Sequence, residues 1–125
     1  MSNLSADVLI IEDDIWLSEQ FERTLQRAGC QTVSTSNALR AMELIDQSPP
    51  QVIILDMLLG GASGLTLLHE LQSYTDTAKI PVILCTNMAS SIDKKDVEPY
   101  GIRRILDKTT MHPDDIVVAV RGALL

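Results

Sequence analysis

Apolar residues along this chain alternate between two kinds of spacing. Unbroken runs at Val8-Leu9-Ile10-Ile11 and Val52-Ile53-Ile54-Leu55, and a stretch from Ile80 to Cys85 with Pro81 near its start, suit strands buried on both faces, as in a parallel sheet. Gln31 to Thr35 reads as a shorter, weaker strand at a sheet edge, and Ile102 to Leu106 as a further strand. Between the runs the apolar spacing becomes helical: Leu17, Phe21, Leu25 and Ala28 before a stop at Gly29; Ala38, Ala41, Met42 and Ile45 behind a Ser36 or Asn37 cap; Leu65, Leu68 and Leu71 after Gly64. Pro49-Pro50 breaks the chain before the Val52 run. Ala89 to Glu98 is polar with few apolar anchors, so its helix is expected to be the least stable, ending at Pro99-Tyr100-Gly101. Pro113 starts a last helix, Asp114 to about Leu124, whose two leading acids suit the macrodipole.

Strand and helix thus alternate five times without a linker or internal repeat. One domain over residues 1–125 is expected. Its class is α/β, a doubly wound five-stranded parallel sheet of flavodoxin-like (βα)5 form, order 2-1-3-4-5, with strands one, three and four at the centre.

Ligand sites in such sheets lie at the carboxyl ends of the strands. There the chain places Glu12 and Asp13 after the first strand, Asp56 after the third, Thr86 after the fourth and Lys108 after the fifth. Alone, Asp56 could simply cap its loop; five polar residues at converging strand ends argue for chemistry. Crowded carboxylates raise one another's proton affinity unless a cation is present. Mg²⁺ accepts a few oxygen ligands and leaves room for phosphoryl oxygens. Lys108 adds positive charge and Thr86 a hydroxyl donor, which together suit an Asp that attacks phosphorus.

Net charge is −7, which opposes direct binding to nucleic acid. No apolar run reaches the ~20 residues of a membrane span, and the first residues lack the pattern of a signal peptide; a cytoplasmic protein is expected. Cys30 and Cys85 have no metal-ligand spacing and read as reduced thiols, one at least buried. His69 and His112 stand apart, without ligand companions.

In these residues the chain resembles the receiver domains of two-component response regulators, over essentially its whole length. Glu12-Asp13, Asp56, Thr86 and Lys108 stand in that family's order and spacing, and Gly64, eight residues after Asp56, fits its loop. The resemblance implies a phosphoryl-accepting switch rather than an enzyme, one that catalyses its own dephosphorylation. Asp56 would be the phosphoacceptor. Asp13, Asp56 and the Leu58 carbonyl would ligate Mg²⁺, with Glu12 acting through water. Lys108 would pair with the phosphoryl group and Thr86 would hydrogen-bond it. The donor would be a histidine kinase or histidine phosphotransfer protein, and the output a contact with a downstream protein. The chain departs from the family at three places. Gly60 replaces a proline after Asp56, which would loosen that loop. Thr109 replaces the proline after Lys108, which leaves the isomer of that bond open, since a non-proline cis bond costs about 3 kcal/mol. Ile105 replaces the aromatic switch residue, and Tyr100 lies too early to stand in for it.

Other readings compete. A receiver-shaped binding module would need no phosphorylation, and the missing aromatic favours it while the complete acidic site opposes it. A Mg²⁺-dependent phosphohydrolase of the haloacid type wants a second Asp where Leu58 stands, and a flavin phosphate would be repelled by Glu12-Asp13-Asp14. Arg103 and Arg104 fit a docking patch or edge-strand charges that discourage aggregation. The last helix is apolar nearly all round, as either ordinary packing or a partner or weak-dimer surface would require. Trp16 is a helix-start residue near enough to the site to report on it.

Overall fold

The run Val52–Leu55 forms β3, a strand whose every residue is buried. In the computed structural model, which describes residues 4–59, 62–87 and 89–125, it lies at the centre of a five-stranded sheet. β1 (Asp7–Ile11) pairs with β3 on one side and with β2 (Gln31–Thr35) beyond it. β6 (Val82–Thr86) pairs on the other side and β7 (Ile102–Asp107) closes that edge. All pairings are parallel and the order is β2-β1-β3-β6-β7, the expected doubly wound arrangement. Between β6 and β7 the register shifts at Val82/Ile83: Ile102 pairs with Val82 but Arg104 with Ile83, which leaves Arg103 as the extra, unpaired residue.

Alternation along the strands divides the core in two. Val8, Ile10, Val52, Ile54, Ile83 and Cys85 face α1 (Ile15–Arg27) and α6 (Asp115–Ala123), which contribute Phe21, Leu25, Ile116 and Val120. Leu9, Ile11, Ile53, Leu55 and Leu84 face α2 (Ala38–Gln47) and α3 (Gly64–Gln72), which contribute Ile45, Leu67 and Leu68. Burying a Leu or Ile side chain is worth roughly 1.5–3 kcal/mol, so both layers hold the sheet firmly. Asn37, not Ser36, caps α2: its side chain accepts from the Arg40 amide at 2.9 Å.

Three segments differ from the pattern expected. The stretch after Asp56 contains a small antiparallel hairpin, β4 (Leu58–Leu59) with β5 (Ala62–Ser63). Gly60, on which the looser loop was expected, lies outside the described residues. A one-turn helix, α4 (Thr75–Ala78), follows α3. The polar stretch expected as one helix over 89–98 is broken into a 3-10 turn at Ala89–Ser91, α5 (Lys94–Val97), and a second 3-10 turn at Glu98–Tyr100. Pro99 sits in that second turn, and Gly101 ends it with φ of 72°, a left-handed conformation that glycine adopts without strain.

Candidate functional site

Backbone hydrogen bonds carry the sheet ladder one residue past several strands, and the polar residues sit there. The Glu12 amide donates to the Thr35 carbonyl at 3.1 Å, the Asp56 amide to Ile11 at 2.9 Å and the Lys108 amide to Thr86 at 3.1 Å. Side chains at those positions are therefore aimed by the sheet and not by loop chance. Glu12 (3% exposed), Asp56 (6%) and Thr86 (0%) are buried polar residues. They line an open cavity of about 490 Å³ together with Asp13, Asp14, Leu17, Asn87 and Lys108. All five residues expected at the strand ends meet there.

Lys108 organises the floor. Its Nζ lies 2.7 Å from Glu12 Oε1 and 3.1 Å from Asp56 Oδ2. Burial works against the ammonium charge, but hydrogen bonds and attraction from Glu12, then Asp56, outweigh it and hold the Lys108 pKa above its ordinary value. Burial also pushes the Glu12 carboxyl upward, against the hydrogen bonds it receives from the Asp14 amide (3.0 Å) and Lys108, and the neighbouring Asp56 adds to the rise. The three acids were expected to crowd one another around a cation. Lys108, the positive charge expected at these strand ends, stands between Glu12 and Asp56 as their counter-charge while Asp13 lines the cavity from its exposed side. Among the described residues no three His, Cys, Asp or Glu side chains are grouped as a metal site, so a cation here would need backbone carbonyl and water ligands as well. The donor set that borders the cavity, the carboxylates of Glu12, Asp13, Asp14 and Asp56, is nonetheless the all-oxygen chemistry that suits a hard cation keeping several waters.

Gly64 packs against the backbone of Asp56. A Cβ there would lie 2.7 Å from the Asp56 carbonyl oxygen and 2.9 Å from Met57 Cα, so only glycine lets α3 begin against the backbone of Asp56. The Gly64 amide donates to the Met57 carbonyl at 2.8 Å, locking that approach.

Two further devices carry no expectation from the sequence. Asp14 caps α1, its Oδ1 accepting from the Leu17 amide at 3.3 Å; an Asp before a helical run is the available signal. Asp107 Oδ1 accepts from the Thr109 amide at 2.8 Å and hydroxyl at 2.6 Å, which holds the turn after Lys108. Those bonds, the hydroxyl first, pull the Asp107 carboxyl below its usual range. There is no cis peptide bond among the described residues, so Lys108–Thr109 is trans. Ile105, in the place of the aromatic, is half-buried against the α3 layer. Cys85 is buried beside the site, and burial pushes its thiol up to about 12, which removes it as a nucleophile. Cys30 is also buried, and both thiols are free. Arg103 and Arg104 border a groove with Val97, Glu98, Ile102 and Ile105. Of the last helix, Ile116, Ala119, Val120 and Ala123 are buried while Val118 is 51% exposed, so ordinary packing explains most of its apolar character.

A five-stranded parallel sheet with an acidic crevice and one lysine at its carboxyl edge defines the class of protein. The family model of the response regulator receiver domain matches residues 8–121, and the chain belongs to that family. It is 28% identical over 106 residues to the polar-differentiation response regulator DivK of Brucella anthropi, covering 85% of this chain and 86% of that protein. The signal receiver domain of a signal transduction histidine kinase from Syntrophus aciditrophicus superposes with a TM-score of 0.80 at 27% identity, over 95% of this chain and 89% of the other. The Mn²⁺-bound form of response regulator Rcp1 shares the fold, with a TM-score of 0.72 at 23% identity over 94% and 90% of the two chains. The chain is thus a receiver domain of two-component signalling, a family whose general function is phosphoryl acceptance and whose members generally act as switches and generally bind Mg²⁺. No helix among the described residues is long and apolar enough to cross a membrane.

Proposed function

We propose that Asp56 accepts a phosphoryl group from a phosphohistidine on a histidine kinase or histidine phosphotransfer protein. The observation that carries this reading is the 3.1 Å contact between Lys108 Nζ and Asp56 Oδ2 at the bottom of an open acidic cavity. An Asp56 oxygen attacks phosphorus, a phosphorus–oxygen bond forms and the phosphorus–nitrogen bond breaks. The imidazole leaves with the electron pair and takes up a proton. Lys108 is already placed to follow the charge from the carboxylate to the phosphoryl oxygens. Thr86, at the cavity wall, supplies a hydroxyl to those oxygens.

Asp13, Asp56 and the Leu58 carbonyl would hold Mg²⁺, with Glu12 acting through water. When bound, the ion offsets negative charge on the transferring group. The phosphoryl group adds roughly −1.5 to −2 charge at the strand ends and so alters contacts with a downstream protein. Water attack on the phosphorus later breaks the bond to Asp56 and releases phosphate, so the chain catalyses its own dephosphorylation. The same reading places it in the cytoplasm as one acceptor domain over residues 1–125. Ile105 favours a second reading, a receiver-shaped module whose contacts do not depend on phosphorylation.

Intact mass after incubation with phosphoramidate and Mg²⁺ separates the two. The wild type should gain one phosphoryl group and Asp56→Asn none; labelling of that variant at the wild-type rate would overturn the assignment.

A further inference from the structure

We propose that Asp107 and Thr109 are positioning residues for Lys108: by holding Thr109, the Asp107 carboxylate fixes the backbone from which the lysine reaches Glu12 and Asp56. This rests on the reading of Asp56 as phosphoacceptor.

Lys108 makes two contacts at once, its Nζ lying 2.7 Å from Glu12 Oε1 and 3.1 Å from Asp56 Oδ2. A lysine side chain is long and loses much rotamer freedom when its end is held at one point. The rotamers open to it depend on its own φ and ψ, so a lysine that must meet two carboxylates needs its backbone fixed first. The sheet fixes the peptide before Lys108, whose amide donates to the Thr86 carbonyl at 3.1 Å. The strand ends at Asp107, so the ladder does not hold the peptide after Lys108. That peptide is trans, and its direction is set by the ψ of Lys108 alone.

Asp107 supplies the missing hold. Its Oδ1 accepts from the Thr109 amide at 2.8 Å, and that amide belongs to the peptide which ψ of Lys108 would otherwise leave free to turn. The Thr109 hydroxyl donates to the same oxygen at 2.6 Å. The Asp107 carbonyl accepts from the Thr110 amide at 3.2 Å and the Met111 amide at 2.9 Å. Four hydrogen bonds thus converge on the residue before Lys108. Beyond them, Met111 Sδ lies 3.5 Å from the buried Cys85 Sγ, which rests the end of the turn on β6. The two carbonyl bonds would be enough to close a turn after the strand. The two carboxylate bonds fall on Thr109, and through its amide they settle where Lys108 starts from.

The full chain is loaded from phosphoramidate with Mg²⁺ and followed by intact mass. Separately, acylation of Lys108 by an N-hydroxysuccinimide ester is followed by peptide mass, with the exposed Lys79 and Lys95 as references. The Lys108 side chain is 12% exposed, so it should acylate slowly in the wild type. Asp107→Ala should load about tenfold more slowly, and its Lys108 should acylate faster relative to the two references. Asp107→Asn removes the same charge but keeps an acceptor oxygen, and it should recover most of both changes. Thr109→Val keeps the amide bond and loses the hydroxyl bond; its loading should fall about threefold, with Thr109→Ser restoring it. In Lys108→Ala, the further change Asp107→Ala should slow loading no more, because a device that acts through the lysine then has nothing to place.

The proposal is overturned if Asp107→Ala loads like the wild type, if Asp107→Asn is as slow as Asp107→Ala, or if Asp107→Ala slows Lys108→Ala by the factor it slows the wild type. Where Lys108→Ala takes up no label, unchanged acylation of Lys108 in Asp107→Ala overturns it instead. Should Asp107→Ala not fold, the Thr109 pair decides: loading at the wild-type rate by Thr109→Val, or no recovery in Thr109→Ser, rejects the role. A wild type that phosphoramidate does not label at Asp56 fails the acceptor reading and this role with it. A wild type and Asp107→Ala that label equally fast fail the positioning role alone.

Discussion

Two segments leave the sheet beside the same cavity, and they are built in opposite ways. After β3 the chain makes a short hairpin and enters α3, which starts against the Asp56 backbone and buries Gly64, Leu67, Leu68 and Leu71. After β6 it makes three short helical pieces, in which Val97 is the one buried side chain among those described between 89 and 100. Ile92 and Tyr100 pack only partly against the same layer. On the proposed reading Asp56 is a nucleophile that has to be held at a fixed point, and the first segment is packed to do that. A signal has to move something, and a segment with few buried contacts opens at low free energy. If Asp56 is the acceptor and the segment after β6 responds, chemistry and response would be separated by how densely each exit from the sheet is packed.

Deleting an anchor on each side tests that contrast most strongly. Leu68 is 0% exposed in α3, and Leu68→Ala should lower the unfolding free energy by about 3 kcal/mol, read by urea denaturation. Val97→Ala removes two buried methyl groups, a loss of about 1.5 kcal/mol. That loss should show mostly as faster amide exchange over residues 89–100 with a smaller shift of the global transition. Equal global destabilisation by the two variants would mean that the second segment is as integral to the fold as the first.

Glycines give a sharper pair because no buried apolar surface is lost. At Gly64 a methyl group meets the backbone of Asp56 and Met57 below 3 Å, and neither atom can swing aside. Gly64→Ala should therefore destabilise by about 2 kcal/mol and slow loading of Asp56 from phosphoramidate by shifting the nucleophile. At Gly101 the nearest atoms to a Cβ lie 3.7 Å away and only the positive φ resists. Gly101→Ala should cost about 1 kcal/mol and leave the loading rate alone. A slower rate in the second variant, or an unchanged one in the first, would show that the acceptor is not positioned by the α3 approach.

Much of this arrangement could be read from residues in order. Uniform apolar runs marked β1, β3 and β6 because strands buried on both faces have no polar alternation to blur them. Asp56 and Lys108 could be placed because the ladder holds one residue past each strand, so register alone puts them in the crevice. Their pairing was less legible. A lysine side chain can point in many directions, and its insertion between Glu12 and Asp56 depends on packing that no spacing records. The hairpin after Asp56 had a signal, two short apolar or small pairs around Gly60-Gly61, but two-residue strands are too short for periodicity. The break-up of the 89–98 stretch follows from its composition: with so few apolar anchors, no single face favours one continuous helix. Asp107's hold on Thr109 is local side-chain chemistry of the Asx-turn kind, visible as Asp-Lys-Thr only once the strand end is known.

The smallest expected effect lies where the two segments touch. The Tyr100 hydroxyl is 3.0 Å from His69 Nε2, and the rings meet edge to face at 4.9 Å between centroids. His69 belongs to α3 and Tyr100 ends the last 3-10 turn, so this contact ties the loosely anchored exit to the firmly anchored one. Tyr100→Phe keeps the ring packing and removes one hydrogen bond at an exposed site, a loss of about 0.5–1 kcal/mol. Because α3 is held by its own buried leucines, the loss should fall on the other side. Amides of residues 92–100 should exchange faster while those of 65–72 stay as in the wild type. With beryllofluoride bound at Asp56, the protection change over residues 86–108 should grow in Tyr100→Phe, since the far end of the segment is freer to follow Thr86. In Thr86→Ala that change should largely vanish. If α3 amides open as much as those of 92–100, the tie holds both segments equally, and the contrast in packing does not set which of them responds.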